Sequence, residues 1–261
     1  MKIVFLTQND PIYVVKFFER FLLTYSDLSE IIGVVVSRPM GKKSTLDLAK
    51  QMLHLYGPFG FFRMAIKYAY AKASDCIWLS CRIGRTSSIP TLCRKLTIPL
   101  IYEDNINSDS FISRLEDLQP DLLISVASPF VFSKDLIQAS RKACINIHNA
   151  PLPKYRGMLP SFWQLYNQEK FGGITIHEVN EKLDEGRIIS QKSVQIKENE
   201  TLHSLIIKTK VASAHMLNDV INMYDNDTVT YYENRPEEGT YFSFPTRHEA
   251  RTFRKMGMKF F

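Results

Sequence analysis

Short apolar runs alternate with segments of helical period in the first 150 residues, and this alternation limits the fold more than any other feature. The apolar runs lie at residues 2–7, 31–36, 100–102, 122–126 and 144–147. Runs of this kind are typical of parallel strands that helices cover on both faces. Because strands and helices alternate, the sequence predicts an α/β fold with a doubly wound, mostly parallel sheet.

The C-terminal part of the chain has a different pattern. Apolar residues at helical spacing predict one long helix from Thr201 to about Tyr224, with a purely packing role. Residues 228–233 and 240–244 flank a turn at residues 236–239, which predicts a β-hairpin followed by a basic tail on the surface. We therefore expect a main domain at residues 1–200, with the helix, hairpin and tail of residues 201–261 packed on it.

The charge balance favours an anionic partner. The chain has 261 residues, and 33 Lys and Arg against 27 Asp and Glu give a net charge of +6. Phosphate, nucleotide, tRNA or a membrane surface would each fit this charge. The first apolar run is too short for a signal peptide, and no run approaches the roughly 20 apolar residues of a membrane span.

The cysteines indicate a reducing compartment. They have no C-x-x-C spacing and lie in apolar stretches of the sequence, at Cys76, Cys81, Cys93 and Cys144. We interpret them as reduced core thiols of a cytoplasmic protein.

Neither of the common nucleotide-binding motifs is present. Residues 40–44, Met-Gly-Lys-Lys-Ser, end like a P-loop, but that motif needs a glycine where Val36 stands. No G-x-G-x-x-G occurs in the chain. Residues 44–74 are helical in period and aromatic, with a break at residues 57–60. They fit either a membrane-surface or partner-docking helix or, more plainly, two helices that cover the sheet.

One strand end places an amide beside an imidazole. Ile145 and Ile147 alternate with Asn146 and His148, so both polar side chains lie on the same face of the strand. Such a pair can donate hydrogen bonds to a carbonyl oxygen that gains negative charge, and a carboxylate such as Asp184 can orient the imidazole. No serine or cysteine has a nucleophile-elbow setting, so the substrate is expected to supply the nucleophile, for instance an amine. On spacing alone, an ordinary strand end and turn remain an alternative.

The surrounding residues resemble those of the folate-dependent formyltransferases. This family includes methionyl-tRNA formyltransferase, glycinamide ribonucleotide formyltransferase and the sugar N-formyltransferases. The matching motifs fall within about residues 120–192 and are Asn146-x-His148, Leu152-Pro153, Arg156-Gly157, Gly173-x-Thr175 and Leu183-Asp184-x-Gly186. The resemblance implies a Rossmann-like formyltransferase fold, with residues 1–200 as the catalytic domain.

The resemblance also implies a reaction and the residues that carry it. Asn146, His148 and Asp184 match the catalytic trio of the family, with 10-formyltetrahydrofolate as co-substrate and no metal. Its pterin is expected against the loop at residues 128–132 and the turn at residues 181–184, largely through main-chain groups. The residues expected at this folate site are Ser128, Phe130, Phe132, Leu183 and Asp184. An acceptor amine would attack the formyl carbon, and Asp184 would tune His148 and help to remove the proton.

The acceptor is the more open question. About 70 residues follow Gln191, too few for the C-terminal barrel of the tRNA-specific members, so the chain most resembles the sugar N-formyltransferases of surface polysaccharide and lipopolysaccharide biosynthesis. This implies a nucleotide-linked amino sugar as acceptor and a homodimer formed through the hairpin. Tyr155, Arg156 and Trp163 are then candidates for the acceptor pocket, and Arg38 and Lys42 for contact with a diphosphate.

Three other functions stay open: a tRNA-directed formyltransferase, a formyltetrahydrofolate hydrolase, and a non-catalytic module that binds RNA or membrane. His177 is expected near the site, with a structural or a substrate-positioning role.

Overall fold

The computed structural model describes residues 1–25, 27–38 and 44–261. The strands of these residues are β1 (Ile3–Gln8), β2 (Ile31–Ser37), β3 (Leu100–Tyr102), β4 (Leu122–Val126), β5 (Ala143–His148), β6 (Arg156–Gly157), β7 (Phe171–Glu178), β8 (Ile188–Gln195) and β9 (Tyr241–Phe242). One sheet has the order β3-β2-β1-β4-β5-β7-β8. The neighbours from β3 to β5 are parallel, and β7 and β8 are antiparallel to their neighbours. The predicted α/β fold with a mostly parallel sheet is therefore confirmed.

Helices cover both faces of the sheet. The helices of the described residues are α1 (Val14–Thr24), α2 (Thr45–Cys81), α3 (Ile89–Lys95), α4 (Asp109–Leu118), α5 (Lys134–Gln138), α6 (Pro160–Tyr166), α7 (Leu202–Asp225) and α8 (Arg247–Lys255). Successive side chains of a strand point to opposite faces. Accordingly Ile3 and Phe5 of β1 belong to the core cluster that contains α1, α3 and α7. Val4 and Leu6 belong to a second cluster, with α4 and α5.

The long C-terminal helix matches its prediction to within one residue at each end. Thr201 caps α7, because its side chain accepts from the Ser204 N–H while the Ser204 side chain accepts from the Thr201 N–H. Met216 and Val220 of α7 pack into the same core cluster as α1. The proposed division of the chain at residue 200 stays a prediction.

The aromatic segment forms α2, which breaks where the sequence predicts. Gly57 has φ 70°, in the left-handed region that glycine tolerates, and Pro58 starts the next helical stretch. The second stretch continues to Cys81, beyond the predicted limit at residue 74. The whole α2 helix packs mainly on α8 and α3, which does not support the prediction that this segment covers the sheet.

The predicted C-terminal hairpin is also wrong. Both of its segments are described, and each pairs with a distant strand instead of with the other. The β9 strand is parallel to β6, and Tyr232 forms an isolated antiparallel bridge with Ile188 of β8. The turn residues at 236–239 signal a reversal, but strands more than 40 residues away supply the pairing partners. The tail is not merely superficial either, because Phe253 of α8 and Phe260 are buried.

These C-terminal residues build a separate apolar cluster beside the main core. Phe253 stacks on Phe162 of α6 with ring centroids 4.7 Å apart, and Phe260 packs edge-on to Tyr56 of α2. The cluster also contains Tyr155 and Trp163. It therefore joins the chain end to α2 and to the segment that follows β5.

The cysteines divide into two kinds. Cys93 and Cys144 are buried, as predicted, and burial raises the pKa of the Cys93 thiol to about 12. Cys76 and Cys81 are exposed on α2, so for them the predicted core position is wrong. Among the described helices, none is long and apolar enough to cross a membrane.

Candidate active site

The carboxyl end of β5 presents the two polar side chains predicted there. Ile145 and Ile147 point into the core and are buried, which turns Asn146 and His148 to the other face. The neighbouring strand β7 places His177 directly opposite Asn146 and Thr175 opposite His148. The amide, the imidazole and a second imidazole therefore share one face of two paired strands.

A tight turn after β7 returns a carboxylate to this pair. Asp184 has φ 56°, which is uncommon for a residue other than glycine. Asn234 holds the turn, because its side-chain N–H groups lie 3.0 Å from the carbonyl oxygens of Asp184 and of Gly186. A Cβ atom at Gly186 would lie 1.8 Å from the Glu178 carbonyl oxygen, so only glycine fits there.

The predicted trio comes together around one carboxylate oxygen. The Oδ1 atom of Asp184 lies 3.5 Å from His148 Nδ1 and 3.5 Å from Asn146 Nδ2. The other carboxylate oxygen, Oδ2, accepts the Gly157 N–H at 2.9 Å. Residues that are 38 positions apart in the chain thus form a compact polar cluster at the edge of the sheet.

The surroundings set the charge of this cluster. Burial lowers the pKa of His148 below its ordinary value, although the neighbouring Asp184 carboxylate opposes that shift. For Asp184, burial acts to raise the pKa, but the two imidazoles and the Gly157 N–H outweigh it and hold the pKa at about 2. At neutral pH the pair is an ionised carboxylate beside a neutral imidazole.

The hydrogen bond of His148 identifies its tautomer. His148 Nε2 lies 2.8 Å from the Tyr155 carbonyl oxygen, which can only accept, so Nε2 carries the proton. In the neutral ring Nδ1 is then unprotonated and faces the site beside Asp184. An unprotonated imidazole nitrogen next to a carboxylate is suited to take up a proton, because the resulting imidazolium is stabilised by the negative charge.

His177 belongs to the cluster, although sequence reasoning left its role open. Its Nδ1 atom donates to the Glu178 carbonyl oxygen at 2.7 Å, which leaves Nε2 to accept from Asn146 Nδ2 at 3.2 Å. Nε2 is also 3.6 Å from Asp184 Oδ1. The alternation of β7 was the only signal for it. Asn234 had no sequence signal, since it lies 50 residues beyond Asp184.

The residues predicted for the acceptor pocket lie near His148 and the Asp184 turn or in the adjoining apolar cluster. Tyr155 and Trp163 are buried, with the Tyr155 hydroxyl donating to Glu169 at 2.6 Å and the Trp163 indole N–H to the Ser243 carbonyl oxygen at 3.0 Å. Arg156 forms an ion pair with Glu185 in the turn beside Asp184. The Tyr155 carbonyl oxygen holds His148, and contact of these three residues with an acceptor stays a prediction.

The segments predicted to hold folate flank the turn and the end of β4. Phe132 is buried in the cluster with α4 and α5, and Phe130 packs against that cluster. Leu183 is exposed at the turn. Asn107 holds the loop that contains Ser128, because its side chain donates to the Val131 carbonyl oxygen at 2.9 Å and accepts the Ser133 N–H at 2.9 Å. The loop backbone is thus held in place, while the Phe132 side chain packs in the core.

A buried lysine of α7 acts on the site from a distance. Burial lowers the pKa of Lys210 to about 8, against the opposing charge of Asp10. Asp10 accepts the N–H groups of Ile12 and Tyr13 at the start of α1, at 2.8 and 3.0 Å. The charge of Lys210 contributes to lowering the pKa of His148. The α7 helix therefore has an electrostatic role beyond the packing role predicted for it.

The residues predicted to meet a diphosphate are only partly described. Arg38 forms an exposed ion pair with Asp104 at 3.0 Å. Lys42 and most of the P-loop-like segment, residues 40–43, lie outside the described residues.

Comparisons with known proteins agree with this geometry. The sequence model of the family described as Formyl transferase matches residues 86–221, which contain Asn146, His148, His177 and Asp184. The bifunctional polymyxin resistance protein ArnA of Wigglesworthia glossinidia brevipalpis is 35% identical over 156 residues, 60% of this chain and 24% of that protein. The methionyl-tRNA formyltransferase of Thermodesulfovibrio yellowstonii is 33% identical over 133 residues, 51% of this chain and 43% of that protein. The chain thus spans less than half the length of these curated relatives.

The fold has counterparts among solved structures. An N-formyltransferase from Helicobacter canadensis, solved in complex with folinic acid and dTDP-3-aminofucose, superposes with a TM-score of 0.58 at 17% identity. The superposition covers 93% of this chain and 71% of that one. At this identity the similarity concerns the fold.

Proposed function

Since the chain belongs to the formyl transferase family and is therefore a formyl-transferring enzyme, we propose that it moves the formyl group of 10-formyltetrahydrofolate to the amine of a nucleotide-linked amino sugar. The observation that carries the proposal is the cluster of Asn146, His148 and Asp184 around one carboxylate oxygen. It combines an amide donor, a neutral base and a fixed negative charge at one point. These are the groups that amine attack on a formyl carbon requires.

Asn146 is the group that would stabilise the formyl oxygen. One of its N–H groups is directed at His177 Nε2, at 3.2 Å. The other faces Asp184 Oδ1 at 3.5 Å, a long and weak hydrogen bond that can be exchanged for a stronger acceptor. As the acceptor amine attacks, the formyl oxygen gains negative charge and becomes that acceptor.

His148 would accept the proton that the amine loses, and Asp184 would stabilise the imidazolium that results. When the new C–N bond forms, the amine nitrogen must lose a proton, and the unprotonated Nδ1 atom of His148 is positioned to take it. The imidazolium is then paired with the Asp184 carboxylate, 3.5 Å away. Cleavage of the bond between the formyl carbon and N10 of the folate returns a proton to N10, so the enzyme ends in its starting state.

The folate is placed, in this proposal, between the loop at residues 128–132 and the turn at residues 181–184. Two features support the fit. Asn107 fixes the loop backbone, and Asn234 with Gly186 fixes the turn. Main-chain groups held in this way can form hydrogen bonds with the polar edge of a pterin. The exposed Leu183 side chain can make an apolar contact with it.

The sugar-nucleotide acceptor is supported by the likeness of fold to the Helicobacter canadensis enzyme, which was solved with dTDP-3-aminofucose. Methionyl-tRNA is the second candidate, because a curated methionyl-tRNA formyltransferase is 33% identical over half of this chain and because the chain carries a net charge of +6. A homodimer, a cytoplasmic location and a place in lipopolysaccharide synthesis stay predictions.

The test is a panel of acceptors offered together with 10-formyltetrahydrofolate. The panel contains dTDP- and UDP-linked amino sugars with the amine at different ring positions, methionyl-tRNA, and water alone. We expect formylation of at least one amino sugar, with loss of on the order of 100-fold or more in kcat for Asn146→Ala and His148→Ala. His215→Gln, on the outer part of α7, is the matched control.

The other outcomes decide against this proposal in distinct ways. Formylation of methionyl-tRNA and of no amino sugar would assign the enzyme to tRNA. Formate release in water at the rate seen with every amine would instead make it a hydrolase.

A further inference from the structure

The second stretch of α2 has an exposed apolar face that the formyl-transfer site does not use. It runs without interruption over residues 58–81, about 36 Å at 1.5 Å per residue. This stretch precedes residues 86–221, the part of the chain that the family model matches. The α2 helix as a whole packs on α3 and α8, and within the second stretch Ala71 and Trp78 are buried.

The neighbouring face of the helix, about 100° round the axis from Ala71 and Trp78, carries large apolar residues in a stripe. Successive members are three, four or seven positions apart, which places them on the same side of a helix. They are exposed to the following extents: Phe59 92%, Phe62 67%, Ile66 54%, Tyr70 69% and Ile77 56%. We call these five residues the α2 stripe. A continuous exposed apolar patch of this kind marks a binding surface on a folded protein.

The charges around the α2 stripe are almost all positive. The stretch at residues 58–81 contains Arg63, Lys67 and Lys72 and a single carboxylate, Asp75. Asp75 accepts the Ser87 N–H at 2.6 Å on the packed side of the helix. Arg63 and Lys72 are exposed and flank the stripe. The stripe is therefore apolar at its centre and cationic at its edges.

A small cavity at the inner edge of this helix adds to the positive character. It has a volume of about 170 Å³ and is lined by Lys16, Lys67, Arg85 and His203, among others. Lys16 and Arg85 share the carboxylate of Glu19. Lys67 lies 2.8 Å from His203, whose pKa is held at about 4 by burial and by the charge of Lys67. His203 is thus neutral and leaves the Lys67 charge uncompensated.

We propose that the α2 stripe is a docking surface for a lipid bilayer with anionic headgroups. Phe59, Phe62 and Ile66 would enter the boundary between headgroups and acyl chains, with the helix parallel to the membrane plane. Arg63 and Lys72 would lie at the level of the lipid phosphates. The inference is independent of which amine the enzyme formylates.

Charge argues for a bilayer over the other possible occupants. A second copy of the chain would bring two positive surpluses face to face, which opposes association. A nucleic acid would match the charge but offers no partner for aliphatic side chains such as Ile66 and Ile77. An anionic bilayer matches both the apolar centre and the cationic edges.

Vesicle co-sedimentation of the full chain tests the proposal. One set of vesicles is phosphatidylcholine alone and the other is an equimolar mixture of phosphatidylcholine and phosphatidylglycerol. We expect binding to the anionic vesicles that weakens as salt is added, and little binding to the neutral ones. The triple variant Phe59→Ser, Phe62→Ser, Ile66→Ser should bind the anionic vesicles at least about tenfold more weakly. The double variant Arg63→Glu, Lys72→Glu should also lose binding.

Two matched controls separate the stripe from general effects. Leu23→Ser removes an equally exposed apolar side chain from α1, and Lys192→Glu reverses an exposed charge on β8. Both should bind as the unaltered chain does, and circular dichroism should show the same fold for every variant. The proposal is overturned if the unaltered chain does not bind anionic vesicles, or if the stripe variant binds them as well as the unaltered chain does. It is also overturned if the stripe variants abolish a dimer or RNA binding while vesicle binding persists.

Discussion

His177 Nε2 lies 3.2 Å from Asn146 Nδ2, so the amide that faces the reaction site is itself held by an imidazole on the neighbouring strand. The two residues are directly paired across β5 and β7. Because His177 Nδ1 donates to the Glu178 carbonyl oxygen, Nε2 is left as an acceptor and determines which way the Asn146 amide is turned.

Replacement of this acceptor should lower turnover more than it affects binding. In His177→Leu the Asn146 amide is free to rotate, and misplacement of an oxyanion donor costs roughly 100-fold in rate. We expect kcat to fall 10- to 100-fold, with the KM for the acceptor amine nearly unchanged, as measured by steady-state kinetics. His215→Gln should be neutral, because His215 accepts from Arg20 far from this cluster. An unaltered kcat in His177→Leu would show that Asn146 is oriented without it.

Asp184 should make the stability of the protein depend on acidity. Its pKa in the folded chain, about 2, lies below the ordinary 3.8, so its stabilising contribution is complete above about pH 4 and is lost as pH falls towards 2. The shift corresponds to roughly 2 kcal/mol. Urea unfolding at pH 7 and near pH 2 should show that Asp184→Asn reduces the free energy of unfolding at pH 7 only. An equal effect of the substitution at both pH values would contradict this assignment.

The side chain of Asn234 should matter for activity although it lies outside the reacting groups. It holds the carbonyl oxygens of Asp184 and Gly186, and its loss leaves two buried acceptors without this donor at a cost of about 1–3 kcal/mol. In Asn234→Ala we expect lower thermal stability and a lower kcat, because the left-handed backbone at Asp184 loses its support. Asn226→Ala is the matched control, since the Asn226 side chain donates to the Asn222 carbonyl oxygen at the exposed end of α7. A variant that loses stability but keeps full turnover would limit Asn234 to a structural role.

The buried charge of Lys210 should lower the free energy of unfolding at neutral pH. Its pKa falls from 10.5 to about 8 on folding, so the folded chain is penalised below pH 8 and the penalty is relieved as pH rises towards 10.5. Lys210→Met should therefore raise the free energy of unfolding at pH 7 by up to roughly 3 kcal/mol. The gain should disappear near pH 10, whereas Lys192→Met should change little at either pH. Burial is the largest cause of the low pKa of His148 and the charge of Lys210 a minor one, so the variant should raise the pKa of His148 only slightly, as measured by NMR titration.

Local patterns were sufficient for the five parallel strands and for the pair of polar side chains at the end of β5, but not for the antiparallel strand β8. The alternation of Ile145 and Ile147 with Asn146 and His148 can be read from four residues, because side chains alternate along any strand. The same holds for α7, whose apolar residues recur at helical spacing and whose start is capped by the nearby Thr201 and Ser204. The resemblance in sequence motifs added Asp184 and the reaction type.

The interactions that complete the site join residues that are far apart in the chain. Asn234 contacts Asp184 from 50 residues away, and the charge of Lys210, on α7, contributes to the low pKa of His148 on β5. The predicted hairpin failed for the same reason, since Tyr241 pairs with Arg156 and Tyr232 with Ile188. A sequence by itself determines periods, caps and motifs, because these arise from neighbouring residues. Which distant backbone group accepts a given N–H, and which buried charge lies near an imidazole, is decided only when the tertiary structure packs the elements together.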